Sequence, residues 1–96
     1  MVGMFLFLGT SKYFFSEIGK LCDITNSNIG IVDTLEECNV ACKALGMRFQ
    51  LKTWDRQLPK GCYQQKWLNG DDSMSFNDHP IGGAWIQTAQ LCKSIG

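Results

Sequence analysis

The sequence predicts a small, disulfide-stapled α+β domain in which one helix packs across an antiparallel sheet. Three observations lead to this prediction. Five cysteines occur in 96 residues, a density typical of small domains that fold in an oxidising compartment. One segment has the apolar period of a helix, and several short segments between turns have the pattern of strands. The length allows a single domain.

The spacing of the cysteines argues against a metal site. No Cys-x-x-Cys pair occurs, and the single histidine, His79, is not close in sequence to any cysteine. Structural zinc sites usually bring their ligands in close pairs, so disulfides explain the cysteines better. Asp71, Asp72 and Asp78 match no EF-hand spacing and indicate a solvated turn. We therefore predict no metal and no cofactor.

The charge balance excludes partners that need a basic face. Lys plus Arg equals Asp plus Glu at nine each, and the net charge is zero. Binding driven by phosphate attraction requires a basic patch or stripe, which the interspersed charges do not provide. We predict no nucleic-acid partner.

Residues 1–12 are expected to form an apolar arm outside the domain, which then spans residues 13–96. Its strongly apolar part, residues 1–9, is only about half as long as a membrane-spanning helix, so no span is predicted. It lacks the basic start and cleavage site of a complete secretory signal. Three interpretations stay open: a fragment of a targeting segment, an edge strand, or an arm that docks into a partner. The docking candidates are Met4, Phe5, Leu6, Phe7 and Leu8.

A short strand or turn is expected at 12–18, where the arm joins the domain, and a loop at 19–30; the clearest helix signal follows at 35–45. Thr34 and Glu37 fit a capping box in which each side chain binds the other residue's amide. Gly46 is a natural C-terminal stop. The predicted inward stripe is Leu35, Cys38, Cys42 and Leu45.

After the helix, the pattern changes to that of strands. Segments 47–54 and 62–68 are expected to form a hairpin around a turn at 55–61. Segment 69–83 is expected to be a long polar loop, and 84–92 the final strand. On the first of these strands, Phe49, Leu51 and Thr53 are predicted to share one face.

Several local motifs together resemble the PAN/apple-like domains, especially the small divergent members of algae and dinoflagellates. The resemblance covers about residues 13–96. It rests on Cys38, Leu45-Gly46, Pro59-Lys60-Gly61-Cys62-Tyr63, Trp67-Leu68-Asn69 and Leu91-Cys92-Lys93. That family has a curved antiparallel sheet crossed by one helix, and its members bind proteins or carbohydrates without catalysis.

The resemblance implies two disulfides, Cys38–Cys62 and Cys22–Cys92, with Cys42 left as a free thiol. Cys42 instead of Cys38 is the rival partner of Cys62, because both lie on the same face of the predicted helix. A leftover thiol is expected to be a small buried hydrophobe.

Catalysis finds no support in the sequence. A Cys/His pair can be drawn with His79, but neither a positioning third group nor an oxyanion turn is identifiable. We therefore predict that the protein is not an enzyme. Trp54, Trp67 and Trp85 are partner-binding candidates, since tryptophan is enriched in contact hot spots and in sugar-stacking platforms. Their positions in predicted strands make core packing the alternative.

Two functions follow from these observations. The first is a non-catalytic structural subunit docked on a larger, membrane-associated assembly. Family analogy makes the luminal side of a photosynthetic complex such as a photosystem, in the thylakoid lumen, one concrete version. The second is a free carbohydrate- or protein-binding, lectin-like module. An extracellular space or a secretory lumen is the other oxidising compartment expected.

Overall fold

The computed structural model describes residues 12–65 and 73–95. Within them, the chain is an α+β domain with one helix and a mixed sheet of six strands. The elements are β1 (Tyr13–Phe15), β2 (Ile29–Ile31), α1 (Leu35–Leu45), β3 (Arg48–Thr53), β4 (Gly61–Gln65), β5 (Ser73–Asn77) and β6 (Thr88–Ser94). The predicted class and the helix bounds are confirmed, but the predicted all-antiparallel sheet is wrong.

Both ends of α1 are capped by the residues that the sequence indicates. The Thr34 hydroxyl accepts a hydrogen bond from the Glu37 amide at 3.1 Å. Gly46 adopts the left-handed conformation with φ 68°, and its amide caps the C-terminal carbonyls. The second half of the predicted capping box is not formed, because the Glu37 carboxylate instead accepts from Lys93 at 2.7 Å and Tyr13 at 3.1 Å.

The buried face of α1 differs by one residue from the predicted stripe. Cys38 and Cys42 are buried as expected, and Leu45 packs partly against the core. Leu35 is 37% exposed, however, and Ala41 is the third fully buried residue of the helix. This face lies against β3, β4 and β5.

The predicted hairpin of β3 and β4 is wrong. The strand order is β1-β6-β4-β5-β3, so β5 lies between the two strands that were expected to pair. β5 is antiparallel to β4 but parallel to β3. The segment 69–83, expected to be a loop, therefore contains a central strand.

Both faces of β5 are covered, and all five of its residues are buried. Met74 and Phe76 belong to the hydrophobic core beneath α1, whereas Ser75 and Asn77 alternate with them on the other face. Polar residues are acceptable at such positions when they are hydrogen-bonded. The alternation of Met74 and Phe76 with polar residues is the pattern of a strand, but the polar composition of the whole segment led to the prediction of a loop.

β6 connects the two halves of the sheet. β1 lies antiparallel along one edge of β6, and β4 and β2 share the other edge. The chain leaving β2 crosses close to Gly61, where an added Cβ would lie 2.3 Å from the Val32 carbonyl oxygen. Gly61, with φ 80°, is therefore required by both its conformation and this close approach.

Several predicted boundaries need correction. β1 covers only part of the expected segment 12–18, and β6 begins at Thr88, so Trp85 precedes it. Trp54 likewise follows β3. A register shift between Phe49 and Leu51 interrupts the pleat of β3, and Leu51, predicted to share a face with Phe49, is 44% exposed whereas Phe49 packs against the core.

Two disulfides join the elements, Cys22–Cys92 and Cys38–Cys62, and Cys42 is free and buried. These are the pairs that the resemblance implied. The first ties the loop after β1 to β6, and the second ties α1 to β4. They are consistent with folding in an oxidising compartment. In the described part of the chain, no helix is long and apolar enough to cross a membrane.

Candidate functional site

The parallel pair of β3 and β5 brings two loops together at one edge of the sheet. Parallel strands point in the same direction, so the segments that follow them leave from the same end. The Asp78 amide donates to the Thr53 carbonyl at 2.9 Å, which ties the two exits together. Residues 54–58 and 78–83 are therefore neighbours, although they belong to two different segments of the sequence, the turn predicted at 55–61 and the loop predicted at 69–83.

Asn77, the last residue of β5, organises the first of these loops. Its side-chain oxygen accepts from the Asp55 amide at 2.9 Å. Its side-chain nitrogen donates to the carbonyls of Asp55 and Leu58 at 2.7 and 2.9 Å. Asn77 is 1% exposed, so these bonds are sheltered from water and hold the loop in one conformation.

His79 organises the second loop. Its Nδ1 accepts from the amides of Ile81 and Gly82 at 3.1 and 3.0 Å. In the neutral ring, the proton is therefore on Nε2. The ring is buried, and the centroid of the Trp54 ring lies 4.5 Å from its own, tilted by 58°. His79 thus supports Trp54 from beneath while it shapes the turn.

We call the surface formed by Trp54, Arg56, His79, Ile81 and Gly82 the Trp54 surface. Trp54 is 69% exposed and Ile81 is 77% exposed, although both are large and apolar. A cavity of about 370 Å³ is lined by Arg56, His79, Ile81 and Gly82. Among the described residues, the Arg56 guanidinium has no ion-pair partner.

Gly82 permits the close packing of the two loops. Its φ is 63°, and an added Cβ would lie 2.6 Å from the Lys60 amide nitrogen. Any other residue would push the second loop away from residues 58–60 and change the shape of the Trp54 surface.

Of the other two tryptophan candidates, the structure describes Trp85 but not Trp67. Trp85 is 40% exposed and lines a second cavity of about 240 Å³, together with Asp55, Gln57, Leu58 and Gln65. Trp85 therefore adjoins the segment 54–58, of which Trp54 is the first residue. Trp67 and the candidates Met4, Phe5, Leu6, Phe7 and Leu8 lie outside the described residues, as do Asp71 and Asp72. Asp78 pairs with Lys52 at 3.8 Å.

A separate cluster of sulfur atoms lies in the core. The Sγ atoms of Cys38, Cys42 and Cys62 all lie within 4.8 Å of one another, and all three residues are buried. Two of these atoms form the disulfide between α1 and β4. Burial raises the pKa of the Cys42 thiol above its usual value, which favours the protonated form.

Sequence reasoning missed Arg56, Asn77 and Ile81. Nothing local distinguishes Arg56 or Ile81 from an ordinary loop residue. Asn77 could have been recognised only if Ser73–Asn77 had been identified as a strand, since its role depends on the loop beside that strand.

The Trp54 surface combines an apolar ring, a guanidinium that has no ion-pair partner among the described residues, and a base held by hydrogen bonds. It is suited to bind an apolar group together with an anionic one. Nδ1 of His79 accepts from two backbone amides, so its role in the described structure is to hold the second loop. No protein-family model matches this chain, and comparison with curated proteins and with solved structures found no match.

Proposed function

We propose that the protein is a non-catalytic interaction module, a small structural subunit that docks on a larger protein assembly through the Trp54 surface. One observation carries the proposal. Trp54 is 69% exposed while it rests on the buried ring of His79. Exposure of a large apolar ring to water does not stabilise an isolated domain. In a docking surface, the same ring contributes binding free energy when a partner buries it.

The composition of the Trp54 surface supports a protein contact. Tryptophan and arginine are enriched among the residues that dominate binding energy at protein interfaces. Trp54 and Arg56 follow a strand on a loop that Asn77 holds, and His79 shapes the neighbouring loop and contacts the Trp54 ring. Such a surface loses little conformational entropy on binding, because its backbone is already ordered.

The same residues indicate what the partner presents. Trp54 and Ile81 require an apolar pocket, and Arg56 requires a carboxylate at its rim. A partner of this kind would bury the apolar side chains and neutralise the one cation, which faces no acidic partner within the described part of the chain.

The finer identity belongs to the same proposal. We place the protein with the PAN/apple-like domains on the motifs around Cys38, Cys62 and Cys92. On that analogy, the assembly is a membrane complex and the site is its luminal side, with a photosystem in the thylakoid lumen as the concrete version. An extracellular space or a secretory lumen would also suit the two disulfides.

The test is replacement of Trp54 by alanine in tagged protein expressed in its source, followed by non-denaturing purification. We expect recovery of the assembly with Trp54→Ala to fall by at least about thirtyfold, because hot-spot truncations cost about 2 kcal/mol or more. Val40→Ala is the matched control, because Val40 is 58% exposed on the outer face of α1.

Deletion of residues 1–9 in the same experiment tests the apolar arm as a second contact. The Trp54 surface is not the docking site if folded Trp54→Ala protein recovers the assembly as well as Val40→Ala does. If only the deletion abolishes recovery, the arm is the contact.

A free carbohydrate-binding module is the second candidate. The observation in its favour is that Trp54, which is exposed, lies beside His79 of the segment 69–83, and exposed tryptophan rings can stack on sugars. This function predicts migration as a free 10.8 kDa species and Trp54-dependent signals on a glycan array. Co-purification with a large complex would contradict it.

A further inference from the structure

We propose that Cys42 is an internal exchange thiol, which lets the bridge between α1 and β4 interconvert between Cys38–Cys62 and Cys42–Cys62. The inference is independent of the Trp54 surface, because the sulfur cluster lies in the core beneath α1. The sequence left two partners open for Cys62, and under this proposal both pairings exist as two states of the folded protein.

Geometry carries the proposal. The Cys42 Sγ lies within 4.8 Å of both sulfurs of the Cys38–Cys62 bridge. Cys38 and Cys42 are one turn apart on the buried face of α1, so both face β4. Forming the second bridge brings the Cys42 and Cys62 sulfurs closer by at most about 2.8 Å, given a disulfide bond of about 2.0 Å. Side-chain rotation and a small shift of the helix supply this movement.

The exchange is redox-neutral. The Cys42 thiol loses its proton to water, and the thiolate attacks the Sγ of Cys62. A new S–S bond forms between Cys42 and Cys62 as the old bond breaks. Cys38 leaves as a thiolate and takes up a proton. One disulfide and one thiol exist before and after the step, so neither an oxidant nor a reductant is needed.

The surroundings of Cys42 make the exchange depend on pH. The other core residues around the cysteines are uncharged: Val32, Ala41, Met74, Phe76 and Leu91. Leu45, Met47, Phe49 and Phe15 pack against them, together with Tyr13, whose hydroxyl donates to Glu37 at the start of α1. Burial favours the thiol over the thiolate. The exchange rate in the folded protein is therefore expected to rise about tenfold per pH unit between pH 6 and pH 8, with the thiolate fraction.

The experiment maps the free thiol in folded protein over time. Protein is incubated at pH 6, 7 and 8 without reductant and quenched in acid. It is then unfolded, labelled with a maleimide at low pH and digested with pepsin. Fragment spectra distinguish a label on Cys42 from one on Cys38, because residues 39–41 lie between them. We expect the label to appear on both residues, approaching a constant ratio faster at higher pH.

Two variants test the proposal independently of the time course of labelling. Cys38→Ala is expected to form a Cys42–Cys62 bridge and to bind no maleimide. Cys42→Ala is expected to keep Cys38–Cys62 and to bind none at any pH. The proposal fails if the label stays on Cys42 at pH 8 while urea-unfolded protein scrambles. It also fails if oxidised, folded Cys38→Ala retains two free thiols.

Discussion

At the scale of single residues, Glu37 shows how one side chain exchanges a local role for a tertiary one. Its amide donates to Thr34 within the helix cap, but its carboxylate reaches Lys93 on β6, Tyr13 on β1 and, at 3.7 Å, Lys12. Burial alone would raise the pKa of Glu37. The hydrogen bonds from Lys93 and Tyr13 and the charges of Lys93 and Lys12 outweigh burial, so the pKa lies below 4.5.

Replacement of Glu37 by glutamine tests this contact. The folded-state pKa of Glu37 is lower than the unfolded value, so its stabilisation is present above pH 4.5 and is lost as the pH falls through the folded value. We expect Glu37→Gln to lower the free energy of unfolding by about 1 kcal/mol at pH 7, since the pair is partly solvated. Urea denaturation at pH 7 and at pH 3 measures the difference.

The matched control is Glu36→Gln, the exposed neighbour in the first turn of α1. An equal loss at pH 7 and pH 3 for Glu37→Gln would show that shape rather than charge is responsible. The same network raises the pKa of Tyr13, through burial first and then through the Glu37 hydrogen bond and charge.

At the scale of elements, β5 determines where the candidate site lies. Its parallel pairing with β3 places the exits of both strands at one edge, and its last residue, Asn77, binds the loop that carries Trp54 and Arg56. A β3–β4 hairpin, as the sequence suggested, would have left Trp54 without His79 beneath it. The strand order therefore creates the Trp54 surface.

Replacement of Asn77 by aspartate tests the link between β5 and the loop. Aspartate keeps the size but loses the two donors to the carbonyls of Asp55 and Leu58. We expect the free energy of unfolding to fall by at least about 2 kcal/mol, because buried carbonyls lose their partners and a charge is buried. Chemical denaturation measures this effect.

Asn39→Asp provides the same chemical change on the exposed face of α1, where we expect an effect within about 0.5 kcal/mol. Folded Asn77→Asp protein should also recover less of the assembly than Asn39→Asp protein. Similar stabilities for the two variants would mean that Asn77 does not hold the loop.

At the scale of the whole molecule, the two disulfides stabilise different parts of the fold. Cys38–Cys62 joins α1 to the half of the sheet that contains β3, β4 and β5, whereas Cys22–Cys92 joins the exposed segment 20–28 to β6. The Cys22 amide also donates to the Gln90 side chain at 2.8 Å. Sequence separations of 24 and 70 correspond to about 3.5 and 4.4 kcal/mol of chain-entropy stabilisation.

Removal of the longer bridge should destabilise the protein as a whole. We expect the double variant Cys22→Ala, Cys92→Ala to lose about 2–5 kcal/mol and at least about 8 °C in Tm. Limited proteolysis should first cut within 20–28, which the bridge no longer restrains. Cys42→Ala is the control that removes a cysteine without removing a bridge. A double variant whose Tm equals that of Cys42→Ala would show that the Cys22–Cys92 bridge does not stabilise the fold.

Features that depend on near neighbours in the chain could be predicted from the sequence. The bounds of α1 follow from Thr34, Gly46 and the apolar period between them, because capping and helix hydrogen bonds join residues only a few positions apart. Cysteine density alone indicated disulfides and an oxidising compartment. The choice between Cys38 and Cys42 stayed open, since both are on one helix face.

Which strands pair, and therefore where the candidate site lies, could not be predicted from local sequence patterns. Strand pairing joins residues far apart in sequence, and the polar segment 73–77 is a strand only because β3 and β4 satisfy its backbone on both sides. Trp54 and His79 lie 25 positions apart in the sequence, yet their rings are 4.5 Å apart. That contact exists because two parallel strands end at the same edge of the sheet.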